Sequence, residues 1–343
     1  MNEITPPKAL TAKDFATDQE VRWCPGCGDY AILKGVQKTL ADLQARPENT
    51  VFVSGIGCSS RFPYYMATYG FHTIHGRAPA FATGIKLANP ELDVWLITGD
   101  GDGLSIGGNH LMHAIRRNVD MNILLFNNEI YGLTKGQFSP TSRAGTRTPS
   151  SPVGSLDQPV TPLRLALGAS ARFVARAIDT DQKKLPDVLK AAAAHKGASF
   201  VEIFQNCIVY NDGVFNDFTE KAAAAERQLW VKHGEPLVFG ASSDKGIRLN
   251  RDTLELEIVT IGEDGVTLDD VLVHDQTNRV IAGLLADLSG PDVPVALGVL
   301  YCSPEPTFEA AVSGHVAAGV AKRPEGGLAA VLRKGHTWEV ADS

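Results

Sequence analysis

Apolar residues in this chain gather into short unbroken runs that end on glycine, asparagine or aspartate. Residues 51–54 stop at Gly55, residues 94–98 at Gly99-Asp100-Gly101, and residues 121–126 at Asn127-Asn128. Residues 172–178, 199–204 and 295–301 are further strand-length segments, six or seven residues of mostly apolar character. Such runs predict strands buried on both faces. Between them, residues 30–43, 78–87, 105–117 and 182–195 carry apolar side chains at helical spacing. The strand, turn, helix and strand across residues 94–126 form a βαβ unit, whose right-handed crossover puts both strand ends on one edge of a parallel sheet.

The prediction is therefore an α/β fold, a doubly wound and mostly parallel sheet. Residues 1–20, with Pro6-Pro7 and little periodicity, read as an extended arm, and residues 21–220 as the α/β domain. Past residue 220 the alternation lapses. Residues 221–230 predict an Ala-rich helix, 254–258 alternate as a strand, and 308–321 predict a helix after the last strand. Residues 221–343 read as a C-terminal extension that packs on the main domain or on a partner.

Composition narrows the class. A chain of 343 residues with 44% hydrophobic and 21% charged residues is a globular protein with room for one large or two modest domains. Its net charge of −7 supplies no basic field for nucleic acid or a membrane surface. No apolar run approaches the roughly 20 residues of a membrane span. The polar start lacks the apolar core of a signal peptide, so the expected location is cytoplasmic. Five cysteines in that setting read as ligands or buried thiols rather than disulfides.

Candidate chemistry gathers at the predicted strand ends. Asp100 and Asn128 follow adjacent strands, where open parallel sheets bind ligands. A carboxylate, an amide oxygen and free carbonyls suit Mg²⁺ together with phosphate oxygens. The dinucleotide pattern G-x-G-x-x-G fails from Gly99, where Leu104 stands sixth, and from Gly101, where Ile106 does. What occurs is Gly-Asp-Gly, 25 residues, then Asn-Asn. That spacing resembles the metal–diphosphate motif of thiamine-diphosphate enzymes; the bland alternative is an ordinary βαβ unit with a Gly-rich turn.

Other turns lie on the same edge. Gly55-Ile56-Gly57-Cys58-Ser59-Ser60-Arg61 follows the strand at 51–54, and Asn206-Cys207 follows that at 199–204. His75 lies between two Gly-rich turns and reads equally as a ligand contact or a satisfied core histidine. Residues 139–162 include 14 Ser, Thr or Pro among 24 and carry Arg143 and Arg147. They read as a lid over an anionic substrate or as a solvated loop against a partner.

The cysteines are spaced Cys24-x₂-Cys27, 30 residues to Cys58, and 148 more to Cys207. Four converging thiolates hold either Zn²⁺ or a [4Fe–4S] cluster. Asp29 is expected to cap the helix that follows the C-x-x-C turn, and Cys302 to be a buried thiol.

Trp23-Cys24-Pro25-Gly26-Cys27-Gly28, Ser54-Gly55-Ile56-Gly57-Cys58-Ser59, His75-Gly76-Arg77-Ala78, Phe81-Ala82-Thr83-Gly84-Ile85-Lys86, Gly99-Asp100-Gly101-Asp102 and Asn127-Asn128-Glu129-Ile130-Tyr131-Gly132-Leu133-Thr134-Lys135-Gly136-Gln137 together resemble one family. It is the β subunit of 2-oxoacid:ferredoxin oxidoreductases, most closely those acting on 2-oxoglutarate. The resemblance spans about residues 15–220 and implies the thiamine-diphosphate-binding type of α/β sheet. It implies a [4Fe–4S] cluster on Cys24, Cys27, Cys58 and Cys207, and Mg²⁺ on Asp100, Asn128 and the Ile130 carbonyl. It implies cofactor contacts from Ile56, Gly57, Cys58, Ser59, His75, Gly101, Asp102, Gly132 and Leu133, with Lys135 and Arg61 near the substrate carboxylates.

The implied reaction is oxidative decarboxylation of 2-oxoglutarate with coenzyme A to succinyl-CoA and CO₂, with ferredoxin reduced. The implied assembly is αβ or α2β2 with an α subunit that supplies the pyrimidine-binding domain. The rivals are a pyruvate or branched-chain 2-oxoacid enzyme, a non-redox thiamine-diphosphate decarboxylase subunit with structural zinc, and a non-enzymatic scaffold with a degenerate metal site.

Overall fold

The computed structural model describes residues 9–288, 290, 293–322 and 327–341. In chain order the strands are β1 (Thr50–Ser54), β2 (Tyr69–His72), β3 (Asp93–Gly99), β4 (Met121–Asn127), β5 (Phe173–Ile178), β6 (Ala198–Phe204), β7 (Gln228–Val231), β8 (Val238–Phe239), β9 (Lys245–Leu249), β10 (Leu256–Thr260) and β11 (Val295–Cys302). The larger helices are α1 (Asp29–Asp42), α2 (Ala78–Ala88), α3 (Gly108–Arg116), α4 (Pro162–Gly168), α5 (Lys184–Ala194), α6 (Asn216–Thr219), α7 (Lys221–Arg227), α8 (Arg279–Ala286), α9 (Phe308–Ala321) and α10 (Gly327–Leu332).

Eight strands form one sheet in the order β2-β1-β3-β4-β6-β5-β11-β7. From β2 to β5 every pairing is parallel. β11 then runs antiparallel to β5, and β7 lies parallel to β11. The α/β sheet expected from the apolar runs is present.

The central strands are buried along their whole length because helices cover both faces. Alternation along a strand sends Leu96, Ile123 and Leu125 to one core and Trp95, Ile97, Leu124 and Phe126 to the other. α2, α3, α4 and α8 cover the first face with Ala82, Leu111, Leu163 and Leu285; α1 and α5 cover the second with Val36, Leu40, Leu185 and Leu189. Each fully buried leucine or valine among these contributes about 1.5–3 kcal/mol.

The parallel registers bring five strand ends to one edge. Ser54 pairs with Ile97, Gly99 with Phe126, Asn127 with Phe204, and Ile178 with Phe204. Gly55, Asp100, Asn128, Asp179 and Gln205 follow directly. A doubly wound sheet binds its ligand at this edge.

Several elements differ from the sequence expectation. The helix expected from Ser105 starts at Gly108, after a π turn at Asp102–Ile106. The helix expected over 221–230 stops at Arg227, because Leu229 and Val231 alternate into the first core as β7. Asp29 does not cap α1; Gly28 occupies that position and Asp29 is the first helical residue. Within the expected arm, Ala12–Phe15 forms a 3₁₀ turn that buries Phe15 completely, while residues 1–8 lie outside the described residues. β8, β9 and β10 make a small antiparallel sheet of their own. Among the described residues no helix is long and apolar enough to cross a membrane.

Candidate active site

Asp102 ties the cofactor edge together. It follows β3, and its side chain is almost completely buried. Its Oδ1 accepts from the Ile56 amide at 3.1 Å, the Gly76 amide at 2.7 Å and His75 Nδ1 at 2.5 Å. Its Oδ2 accepts from Thr98 Oγ1 at 2.7 Å. One carboxylate thus joins the turn after β1, the turn before α2 and the end of β3. Because Asp102 accepts, His75 carries its proton on Nδ1 and presents Nε2 toward the cleft. The Asp102 carboxylate is fully engaged in this role, so only its backbone is left to meet a cofactor.

Asp100 begins the same turn, 3% exposed. Its Oδ2 accepts from Ser139 Oγ and Thr141 Oγ1, each at 2.6 Å. Burial pushes its carboxyl up to about 6, against the pull of the two hydroxyls. A buried carboxylate held above its ordinary range is stabilised by a cation opposite it. Asn128 Oδ1 accepts from the Ile130 amide at 3.2 Å, and its amide donates to Gln205 Oε1 at 2.7 Å. Glu129 between them takes a positive φ of 54°. Burial lifts its carboxyl to about 7, opposed by Arg143.

Ile56, Gly57, Cys58, Ser59, His75, Gly101, Asp102, Gly132 and Leu133 line one cleft, together with Asp100, Asn128 and Ile130. Gly57 is possible at its φ of 123° because it lacks a side chain. Tyr131 packs on Gly101 and donates to its carbonyl at 3.0 Å.

A second cavity of about 220 Å³ adjoins the first. Cys24, Cys27, Cys58 and Cys207 rim it, with Arg61 and Lys135. Cys58, Gly132 and Leu133 border both spaces. Three hydrogen bonds lock the cysteine-bearing segments together. Trp23 Nε1 donates to the Cys58 carbonyl at 2.7 Å, the Gly28 amide to the Asn206 carbonyl at 3.1 Å, and Gln205 Nε2 to Cys27 Sγ at 3.3 Å. Burial pushes the Cys27 thiol well up and that of Cys58 to about 12, with Asp29 adding to both. Thiols in that state are poor nucleophiles, and thiolates there call for a metal's charge.

Three features escaped the sequence reading. Gln205 links Asn128 to Cys27; its place just past β6, two residues before Cys207, is the signal that would have found it. Asp29 lines the cofactor cleft with both carboxylate oxygens buried and without an N–H or hydroxyl partner. Its carboxyl is raised to about 7, by burial first and Asp179 next, with the Cys27 thiol opposing the rise. The third is the pair of hydroxyls on Asp100, supplied by the loop expected to be either a lid or a solvated loop against a partner. Cys302, expected to be a buried thiol, is a free thiol that is only half-buried, with His195 Nδ1 at 3.9 Å.

Residues 55–203 match the model for the C-terminal TPP-binding domain of thiamine pyrophosphate enzymes. The chain is 52% identical, over 96% of its length and 88% of the relative's, to 2-oxoglutarate oxidoreductase subunit KorB of Mycobacterium tuberculosis. It is 43% identical, over 70% of its length and 81% of the relative's, to 2-oxoglutarate synthase subunit KorB of Methanothermobacter thermautotrophicus. A solved structure of 2-oxoglutarate:ferredoxin oxidoreductase from Magnetococcus marinus, with 2-oxoglutarate, coenzyme A and succinyl-CoA bound, superposes with a TM-score of 0.76 at 32% identity, covering 96% of this chain and 97% of that one. On likeness of this extent, which runs through both cavities and the sheet that carries them, the chain belongs to the β-subunit family of the 2-oxoacid:ferredoxin oxidoreductases.

Proposed function

We propose that this chain is the β subunit of a 2-oxoglutarate:ferredoxin oxidoreductase, carrying thiamine diphosphate, Mg²⁺ and a [4Fe–4S] cluster. The observation that carries the reading is the common wall of Cys58, Gly132 and Leu133 between a cofactor cleft and a four-cysteine cavity. Bound there, thiamine diphosphate supplies decarboxylation of a 2-oxoacid, the cluster an electron exit to ferredoxin, and coenzyme A accepts the acyl group.

The residues fit these groups. Asp100, Asn128 and the Ile130 carbonyl form a hard oxygen set of the kind Mg²⁺ takes beside phosphate. The Gly57 backbone, with open space where a side chain would stand, lets a diphosphate approach closely, and Asp102 holds the His75 ring at the cleft. Among the described residues no three of His, Cys, Asp and Glu gather as they do around a single ion. The four thiols surround a cavity instead, which favours a cluster over structural zinc. Arg61 and Lys135 line that cavity and are the cations assigned to the substrate carboxylates.

A partner α subunit completes the site, in an αβ or α2β2 assembly. Leu133, which lines the cleft, and Ile74, Phe81 and Ile106, on the segments that flank His75 and Asp102 in sequence, stand 46–67% exposed, apolar surface that suits a partner's cover. Residues 21–220 hold the cofactors in this reading, after the arm at 1–20, and residues 221–343 are the extension. The cluster and reduced thiols suit a cytoplasmic setting.

The test is anaerobic co-purification with a candidate α subunit, then rates on a panel of 2-oxoacids. Iron and sulfide in the chain, 2-oxoglutarate-dependent reduction seen by electron paramagnetic resonance, and preference for 2-oxoglutarate are expected. Zinc without iron would overturn the redox reading. Faster turnover of pyruvate or a branched-chain acid would overturn the substrate.

A further inference from the structure

The loop after residue 138 reaches the turns that carry Asp100 and Glu129. Ser139, Thr141 and Ser142 are each at most 4% exposed, and their hydroxyls turn inward. Ser139 and Thr141 reach Asp100 Oδ2, both at 2.6 Å. Thr141 Oγ1 also lies 2.9 Å from Asn127 Oδ1, whose amide is fixed by Glu202 at 2.7 Å. Ser142 Oγ donates to the Glu129 carbonyl at 2.5 Å, within the positive-φ turn between Asn128 and Ile130.

The turn is closed on itself. The Ser139 amide donates to Ser142 Oγ at 2.8 Å, and the Ser142 amide to the Ser139 carbonyl at 3.1 Å. The Val160 amide donates to the Pro140 carbonyl at 2.8 Å and pinches the neck of the long loop shut. One short turn therefore grips both halves of the cation site. Two hydroxyls hold the carboxylate that follows β3, and a third holds the backbone that delivers Ile130 after β4.

We propose that the 139–142 turn is a hydroxyl clamp that fixes the spacing of the two halves and thereby sets the site's affinity for Mg²⁺ over Ca²⁺. This rests on the reading of the cleft as a cation–diphosphate site. Mg²⁺ demands near-ideal octahedral geometry, whereas Ca²⁺ accepts longer and looser coordination. With Oδ2 of Asp100 held by two hydroxyls, the carboxylate is restrained from swinging to a bidentate pose. Groups that orient a ligand in this way typically change metal affinity about 10–100-fold when removed. Ser139, Thr141 and Ser142 are positioning residues, not ligands.

The test uses the full chain assembled with its partner subunit, titrated with thiamine diphosphate by calorimetry at varied Mg²⁺ and, separately, Ca²⁺. Thr141→Val and Ser139→Ala are expected to need about 10–100-fold more Mg²⁺ for half-saturation, with a much smaller change for Ca²⁺. Thr141→Ser, which keeps the hydroxyl, is expected to stay near wild type, and cation-free melting temperatures identify any variant that has lost its fold. Wild-type Mg²⁺ requirements in both folded hydroxyl-deletion variants would overturn the clamp. So would a Thr141→Ser variant as impaired as Thr141→Val. If the wild-type assembly takes up thiamine diphosphate with no divalent cation at all, the cation-site reading itself fails, and the clamp with it.

Discussion

Gly101 and Tyr131 are built against each other: a Cβ at position 101 would lie 2.1 Å from Tyr131 Cε1, while the Tyr131 hydroxyl donates to the Gly101 carbonyl at 3.0 Å. The ring fills the space above the turn, so the turn must be glycine. Gly101→Ala is expected to push Tyr131 aside, lower stability by about 1–3 kcal/mol and weaken thiamine-diphosphate binding at least tenfold. Calorimetry with urea unfolding checks both. A variant with unchanged cofactor affinity would show that Tyr131 yields freely.

Asp102 accepts four hydrogen bonds in a buried position. Asp102→Asn replaces one accepting oxygen with an NH₂ that faces existing donors. Leaving buried donors unsatisfied costs about 1–3 kcal/mol. The variant is expected to unfold at lower urea and to lose the His75 orientation, read as a shift in the His75 resonances in nuclear magnetic resonance. Equal urea midpoints for variant and wild type would remove Asp102 as the joint between the turns.

The pH response follows from Asp100, raised by burial from 3.8 to about 6. A carboxyl raised on folding lends stability that is complete below its unfolded value and lost as pH rises through the folded one. Without cation, Asp100 thus disfavours the folded state between about pH 4 and 6 and above. His195 and His274, pushed down by burial, work in the opposite sense near neutral pH, so the comparison must be with Asp100→Asn. In chelator at pH 7.5 that variant should melt higher than wild type. Protons compete with the cation in the same window, so wild-type Mg²⁺ affinity should fall roughly tenfold per unit below pH 6. A flat affinity from pH 5 to 8 would contradict this.

Trp23 holds the Cys58 carbonyl through Nε1 and packs edge-on against Tyr30 and Tyr65. Trp23→Phe keeps most of the packing and deletes the donor. With the proposed cluster on the four cysteines, the expected outcome is several-fold faster loss of iron when the anaerobic protein meets a ferrous chelator. An unchanged chelation rate would mean that Trp23 serves packing alone.

How much of this was legible depended on range. The central strands were readable because burial on both faces leaves nearly continuous apolar letters, as at residues 123–126 of β4. That the candidate site residues share one cleft was readable because they stand in Gly-rich turns at the ends of neighbouring parallel strands. β2 was missed because all four of its residues are exposed, so burial wrote no pattern into it. The partnership of Ser139 and Thr141 with Asp100 was hidden because it joins positions 39 and 41 residues apart through hydroxyls that look like any polar loop. Asp29 looked like a cap because aspartate before a helix usually is one. Gly28 is required there instead, since a Cβ would lie 1.9 Å from Asp179 Oδ2.

The seat of β11 between β5 and β7 has a consequence for biosynthesis. The strands that carry the cofactor edge are all made by Phe204, yet the open side of β5 receives its neighbour only when Val295–Cys302 emerges. For roughly ninety residues of translation the nascent sheet carries an uncovered rim, the kind of edge on which chains pair wrongly. A chain cut off before Val295 is therefore expected to aggregate where the full-length chain does not, since β5 keeps an unpaired edge.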